Sequence, residues 1–556
     1  MKQTPISRQP ASAFGYQQVS QPLEYGNMRH EAWPAGRMIK TAWPKVLLAG
    51  LVVALLLACA FCITVGTALG LANFRDVSYP DSATLLRVGE FIRSGHIYPD
   101  IDRPPYLVTL YGPLTYVLLA IPYRLAQAAG ITAQVLVRVG IVGALCLCVS
   151  FTFMIGRRLY SSRPMAWLCA LFAVSALPMV TWTTQIRGDF LALALSLLSL
   201  YWFLLTHGRP RGIGAAICAG IALLVKQTFV AVPIAIVSWL IYRRRYKEAL
   251  LWSTGLALTV IGGYAIAWWR EPLMLKHIAA LRHPVFGYGQ GLSILGNAVS
   301  QPVVPLAVIG GFLALWKRTP ERLLLLIYCI VAWLMASLTI PQVGGAINYF
   351  FEPLLASAVL AGPGLCELQR KANRTPILVT AMLFVLFLRA FVPMLWGEVF
   401  YLRNSYEHVA DYQVRKTHWE SFVSTVSGRR LLSTYPDVTI LSMTPEIPDP
   451  FFNSTLELRG LWNSGPVLAE INAGVYDLIV IAPGEAESPR SSGYRGIRFW
   501  DDGMWLALKR TYSPACVFQA MEIWLPNRGS GEILPKLSGI GCLAVARQAD
   551  VGSGHP

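Results

Sequence analysis

A polytopic α-helical membrane protein carrying a small extracytoplasmic α/β domain at its C-terminal end is the fold class this sequence predicts, and three observations predict it. Of 556 residues, 54% are hydrophobic and only 14% charged, too few charges to solvate the surface of a water-soluble chain. Apolar runs close to the ~20 residues that a helix needs to cross a bilayer recur along the sequence. Lys and Arg gather in short clusters between those runs, where they set membrane orientation. The net charge of +17 therefore reads as topology and not as a nucleic-acid surface. A membrane-spanning barrel is excluded because its strands would alternate in polarity.

Residues 1–44 are polar and mildly basic (Arg8, Arg29, Arg37, Lys40, with Lys45 at the edge). They are too long for a signal peptide and read as a disordered cytoplasmic tail. Residues 45–396 then supply about eleven spans: Val46 to Leu71, Ala133 to Ile155, Met165 to Trp182, Phe190 to Leu205, Ile213 to Val225, Phe229 to Ile241, Ala249 to Trp269, Val303 to Trp316, Leu323 to Ile340, Ala346 to Ala361 and Pro376 to Leu395. The segment Ile213 to Ile241 reads equally as two standard spans or as a broken or tilted pair around Lys226 and Gln227.

Basic clusters at Arg157-Arg158, Arg209 with Arg211, Arg243 to Arg245, Lys317-Arg318 and Arg370-Lys371 all fall on the cytoplasmic side under one condition. The loop 73–132 must stay wholly outside. It contains "YGPLTYVLLAIPYRLAQAAG", whose strongly apolar part is short and interrupted by Pro122 and Arg124, so it reads as an interfacial helix. The preceding "DSATLLRVGEFIRSG" reads as a second, amphipathic one. Residues 397–556 alternate strand-like runs, "DVTILSM" and "YDLIVIAP", with the helix-like "SGPVLAEINA", giving the small α/β domain. Cys516 and Cys542 lie in it and are free to pair if it is extracytoplasmic; Cys59 and Cys62, inside a span, read as small buried hydrophobes.

On this topology Arg187 and Asp189 stand at the outer mouth of two spans. The same face receives Lys226 and Gln227, the "GGAINYFFEP" residues Asn348, Tyr349 and Glu352, and a loop with Lys276, His277, Arg282 and His283. Ionisable groups at the edge of apolar runs point to a water-filled cavity or to a function. The first outer loop adds Asp76, Asp81, Asp100 and Asp102 with Tyr79, Tyr98, Tyr106 and Tyr111. Asp81 heads the amphipathic helix, where it reads as a helix cap or as a general base.

In order and spacing, "YPDSATLLRVGEFIRSGHIYP", "PPYLVTLYGPL", "QIRGDFLALALSLLSLYWFL", "GIALLVKQTFVAVPIAI" and "GGAINYFFEPLLASAVLAG" resemble the bacterial membrane glycosyltransferases of the GT-C superfamily, in the branch with protein O-mannosyltransferases and the lipid A aminoarabinose transferase. The resemblance covers roughly Val46 to Leu395, and "PDPFF" and "YDLIVIAP" resemble the extracytoplasmic domain of uncharacterised members. It implies a polyprenyl-phosphate-linked sugar as donor, inverting transfer to a protein, lipid or glycan acceptor, and two outer juxtamembrane helices in the first loop. Asp81 matches the acidic residue at the head of the first-loop helix, Asp189 the second acidic position, and Lys226 the lysine ending the fifth span. Where a second acid often follows the first, this sequence has Ser82.

In the reaction so implied, Asp81 is the general base, and Lys226, Arg187 and Arg282 neutralise the leaving phosphate. Asp189 either orients Arg187 or helps Asp81 ligate a divalent metal ion. Tyr111 and Tyr349 stack on the sugar or anchor the interface, and Gln227, Asn348, Glu352 and Asp76 complete the substrate-binding set. The location implied is the cell inner membrane, multi-pass, among membrane lipid. Two readings compete: a secondary transporter, which predicts internal repeats and a midplane site, and a non-catalytic relative serving as an envelope assembly subunit.

Overall fold

The computed structural model describes residues 64–76, 81–160, 163–174, 182–206, 212–281, 288–301, 303–317, 319–342, 345–372, 412–487, 499–528 and 532–544, with four single positions between 50 and 61. The tail 1–44, most of the first expected span, the span Pro376 to Leu395 and the boundary at 396/397 lie outside the described residues.

Two helices occupy the first loop: α1 (Asp81–Ser94) and α2 (Pro113–Ala129). Asp76, ahead of the helix, caps the start of α1. Asp76 accepts hydrogen bonds from the Ser82 backbone N–H (3.0 Å) and from Ser82 Oγ (2.6 Å), satisfying a donor that the first turn leaves unpaired. Pro113 opens α2, where its missing N–H costs nothing, and Gly130 closes it at φ 67°, the left-handed conformation that glycine takes without strain.

The bundle continues with α3 (Ala133–Tyr160), α4 (Arg163–Val174), α5 (Asp189–Thr206), α6 (Ile213–Val225), α7 (Ala231–Tyr242) and α8 (Tyr246–Arg270). Two helices, α9 (Met274–Leu281) and α10 (Tyr288–Val299), follow it, and α11 (Val303–Lys317), α12 (Pro320–Thr339), a 3-10 turn (Ile347–Phe350) and α13 (Phe351–Ala372) complete the described helical part. By length and composition, α3, α5, α8 and α12 are long and apolar enough to cross a membrane, while α6 and α7 are shorter apolar helices. Their separation at 226–230 follows from Pro233. A continuous helix would need a Pro233 N–H for the Phe229 carbonyl, whereas in the first turn of a new helix none is required. α5 packs on α3 and α6, α6 on α8, and α13 on α11 and α12.

The C-terminal part holds α14 (Tyr412–Val426), β1 (Leu431–Ser433), α15 (Pro436–Thr439), α16 (Pro450–Glu457), α17 (Gly465–Ala473), β2 (Leu478–Ile481), α18 (Asp502–Thr511), β3 (Tyr512–Phe518), β4 (Met521–Pro526), α19 (Ile533–Gly539) and β5 (Leu543–Ala544). The sheet order is β1-β2-β4-β3-β5, with β1 and β2 parallel and the other pairs antiparallel. Cys516 and Cys542 form a disulfide. "DVTILSM" is not a strand. Pro436 starts a short helix there, and Thr439 Oγ1 donates to the Tyr435 carbonyl (3.2 Å), closing a local turn that competes with sheet pairing. This sheet unit sits on the first loop: Ile101, Tyr106 and Val108 share one apolar core with Trp462, Trp500 and Trp524.

Candidate active site

Three segments converge at the N-terminal end of α5, and two glycines permit it. Gly112 precedes α2 and lies against the end of α6, its N–H donating to the Val225 carbonyl (3.1 Å); a Cβ there would stand 2.0 Å from the Leu224 carbonyl oxygen. Thr115 Oγ1 donates to the same Val225 carbonyl (2.7 Å). Gly188 admits Thr115 in turn, since a Cβ at 188 would fall 2.7 Å from Thr115 Oγ1. Only a hydrogen in place of a side chain leaves room for the Leu224 backbone at Gly112 and for the Thr115 side chain at Gly188.

The convergence assembles a buried polar cluster. Asp189 opens α5, where a carboxylate faces the positive end of the helix dipole. Lys226, the residue after α6, places Nζ 2.5 Å from Asp189 Oδ1. Asn348, in the 3-10 turn, donates from Nδ2 to the same oxygen (2.7 Å). Asp189 is 2% exposed and Lys226 7%; an ion pair so desolvated stands only because the charges are matched and hydrogen-bonded. The Tyr349 and Tyr111 rings flank Lys226 Nζ at 5.3 and 5.8 Å, within reach of a cation–π contact. Among the described residues, Asp189 Oδ2 and Asn348 Oδ1 are buried without a hydrogen-bond partner, two acceptors available to hydroxyl groups of a ligand.

Arg187 lies beside this cluster with its guanidinium carbon 4.3 Å from the Trp182 ring centroid. Asp189 thus orients Lys226, where the sequence had offered Arg187 as its partner. Asp81 is fully buried. Its Oδ1 accepts the Ile186 N–H (3.0 Å), and its Oδ2 is 3.6 Å from Arg138 Nη2. Asp81 therefore holds the start of the turn Ile186–Asp189, and Asp189 stands at its end.

Sequence reasoning missed Arg138. This buried arginine of α3 donates to the Gly70 (2.8 Å), Asn73 (2.7 Å) and Arg75 (2.9 Å) carbonyls, tying the end of the helix over 64–72 to Asp81. A lone arginine in a long apolar run was the available signal, because such a charge is costly in a membrane segment and needs a partner. Asp76 sits against the same group. Burial first, then the negative charges of Asp81 and Asp437, push its carboxyl well above the ordinary range.

Not every expected residue joins the cluster. Glu352 is buried one turn beyond Asn348, bonded to Ser196 Oγ (3.1 Å), about two helical turns, ~10 Å, along α5 from Asp189. Packing between helices accounts for it, so it is not part of the Lys226 group. Gln227 is exposed at the break between α6 and α7. Arg282 lies outside the described residues. Lys276 pairs with Asp100 and Asp102, and His277 is buried, Nδ1 accepting the Thr109 N–H (3.1 Å) and Nε2 bonding the Pro99 carbonyl (2.7 Å). These contacts fasten the first loop to α9.

A divalent metal between Asp81 and Asp189 does not fit this donor set. Asp189 Oδ1 already holds an ammonium and an amide, Asp81 lies beside a guanidinium, and among the described residues no three His, Cys, Asp or Glu side chains are grouped to hold a metal. A hard cation needs several oxygen ligands.

No family model matches the sequence, and no curated protein matches it. Solved structures nevertheless share its fold. The crystal structure of ArnT from Cupriavidus metallidurans in the apo state is similar over 86% of this chain and 98% of that one, at 13% identity and a TM-score of 0.56. The same protein bound to undecaprenyl phosphate matches over 85% and 98%, also at 13% identity and a TM-score of 0.56. The archaeal oligosaccharyltransferase AglB from Archaeoglobus fulgidus, in complex with an inhibitory peptide and a dolichol-phosphate, matches over 84% of this chain and 74% of that one, at 12% identity and a TM-score of 0.47. At 13% identity the likeness to ArnT is one of fold.

Proposed function

We propose that this protein is an inverting glycosyltransferase that moves a sugar from a polyprenyl-phosphate donor to an acceptor outside the cytoplasm. The carrying observation is the Lys226–Asp189–Asn348 cluster, enclosed by Tyr111 and Tyr349 and joined to Asp81 through the turn Ile186–Asp189. The undecaprenyl phosphate bound by ArnT, a protein of the same fold, supports a donor of this class.

Asp81 removes the proton from the acceptor hydroxyl as that oxygen bonds to the anomeric carbon. The bond from anomeric carbon to phosphate oxygen breaks on the opposite face, and the departing polyprenyl phosphate gains negative charge. Lys226 and Arg187 stabilise that charge from a site where water is scarce and electrostatic terms are large. Asp189 keeps Lys226 aimed, and its Oδ2, with Asn348 Oδ1, receives sugar hydroxyls.

The protein resides in the inner membrane with its N-terminus cytoplasmic and residues 397–556 outside, the orientation that the basic clusters support. A stretch from 45 to 396 forms the membrane domain. Mass spectrometry of envelope glycans and glycoproteins in a deletion strain tests the reading: one sugar residue disappears and returns with the intact gene. An unchanged envelope in a strain with no second copy of such an enzyme overturns it.

A further inference from the structure

The C-terminal unit does more than cover the bundle, and one residue carries the connection. Arg75 extends from the segment joining the helix over 64–72 to α1, and its guanidinium grips Asp437 through Nε (2.7 Å to Oδ2) and Nη2 (3.3 Å to Oδ1). Trp419 and Tyr435 enclose it, their ring centroids 4.8 and 5.6 Å from its central carbon. A two-pronged contact inside an aromatic cage fixes a side chain in direction as well as distance.

The backbone of the same residue faces the other way. The Arg75 carbonyl accepts from Arg138 Nη2 (2.9 Å) and Gln134 Nε2 (3.2 Å), and Arg138 Nη2 is the group 3.6 Å from Asp81 Oδ2. The next residue, Asp76, caps the helix that Asp81 begins. α15, which carries Asp437, also packs directly on α1. Arg75 therefore has its side chain anchored in the C-terminal unit while its backbone holds Arg138, one of the two groups in contact with Asp81, and leads into the residue that caps α1.

We propose that Asp437 and Arg75 are positioning residues for the transfer reaction, by which the C-terminal unit holds Asp81 in its reactive place. The proposal rests on the glycosyltransferase reading above. An error of about 1 Å in the placement of a reacting group costs on the order of 100-fold in rate, so a contact remote from the chemistry can govern turnover.

The test uses the full chain in lipid nanodiscs, with the undecaprenyl-phosphate-linked sugar identified from the envelope as donor. Asp437→Asn and Arg75→Met lower kcat roughly 10- to 100-fold with donor KM unchanged, and Asp437→Glu recovers most of the loss. The paired substitution Cys516→Ala with Cys542→Ala, which loosens the same unit without touching Arg75, leaves kcat near that of the unaltered chain. Amide hydrogen exchange in the first turn of α1 rises in Asp437→Asn and Arg75→Met but not in the cysteine variant. Disulfide formation on a non-reducing gel verifies that the Asp437 variants fold. If kcat or the exchange of α1 stays unchanged in Asp437→Asn, or if the cysteine variant lowers kcat equally, the proposal fails. If the unaltered chain transfers nothing, the functional reading fails instead, and the exchange measurement alone decides the coupling.

Discussion

Lys226 and Asp189 form a buried ion pair, Nζ to Oδ1 2.5 Å, at the point where α6 ends and α5 begins. Two charges placed in so dry a setting cost several kcal/mol each in desolvation, and their attraction offsets that only while both are present. Lys226→Met leaves Asp189 unpaired and is expected to cost ~3–5 kcal/mol of stability. It also lowers transfer by 100-fold or more, since a positive group near the leaving phosphate is gone. Lys226→Arg does not restore activity, because a forked guanidinium cannot replace a point charge between the Tyr111 and Tyr349 rings. Thermal unfolding and a transfer assay on both variants check this, and full activity in Lys226→Arg contradicts it.

Gly112 is where the first loop touches α6. In Gly112→Ala the new Cβ would meet the Leu224 carbonyl oxygen at 2.0 Å, and backbone cannot yield as a flexible side chain can. A loss of at least ~1–3 kcal/mol is expected, the usual range for overpacking, together with loss of transfer as Tyr111 leaves Lys226. Gly143→Ala, which meets no atom within 4 Å, is the matched control and is tolerated. Equal melting temperatures for the two variants contradict this account.

His277 gives the first loop a pH dependence. Burial, helped by the nearby Arg87 and Lys276 charges and opposed by the Pro99 carbonyl, lowers its pKa from 6.5 to about 4. A pKa depressed in the folded state means that the contribution is complete above pH 6.5 and drains away as pH falls toward 4. The full effect is about 3 kcal/mol. The stability advantage of the unaltered chain over His277→Ala should therefore narrow between pH 7 and pH 4. A constant gap across that range contradicts the assignment.

Much of the fold was legible because membrane helices announce themselves by long apolar runs. α3, α5 and α8 fall where the spans from Ala133, Phe190 and Ala249 were expected. The two first-loop helices were legible from their own apolar patterning, and α1 and α2 fall where helices were expected. Whether 213–241 was one broken element or two spans was not legible, since Pro233 requires a break in the helix before it but does not say how the two halves are set to one another. "DVTILSM" misled because β-branched residues favour strands only where a neighbouring strand is there to pair.

The site was legible in its residue types more than in its pairings. Asp189, Lys226, Asn348, Tyr111 and Tyr349 come together from four separate segments, but nothing in the order of residues says that Asp189 holds Lys226. Asp76 and Asp81 are five positions apart, and which of them caps α1 depends on the path of the chain between them. Arg75 and Asp437 are 362 residues apart in the chain, and no local pattern links them.

The most direct measurement is transfer of a radiolabelled sugar from its undecaprenyl-phosphate carrier by the purified full chain in nanodiscs, comparing the unaltered protein with Asp81→Asn. The account predicts transfer with inversion of the anomeric centre by the unaltered chain, and a loss of at least 100-fold on the order expected for a missing general base in a variant that still binds undecaprenyl phosphate. Undiminished turnover by Asp81→Asn would contradict it.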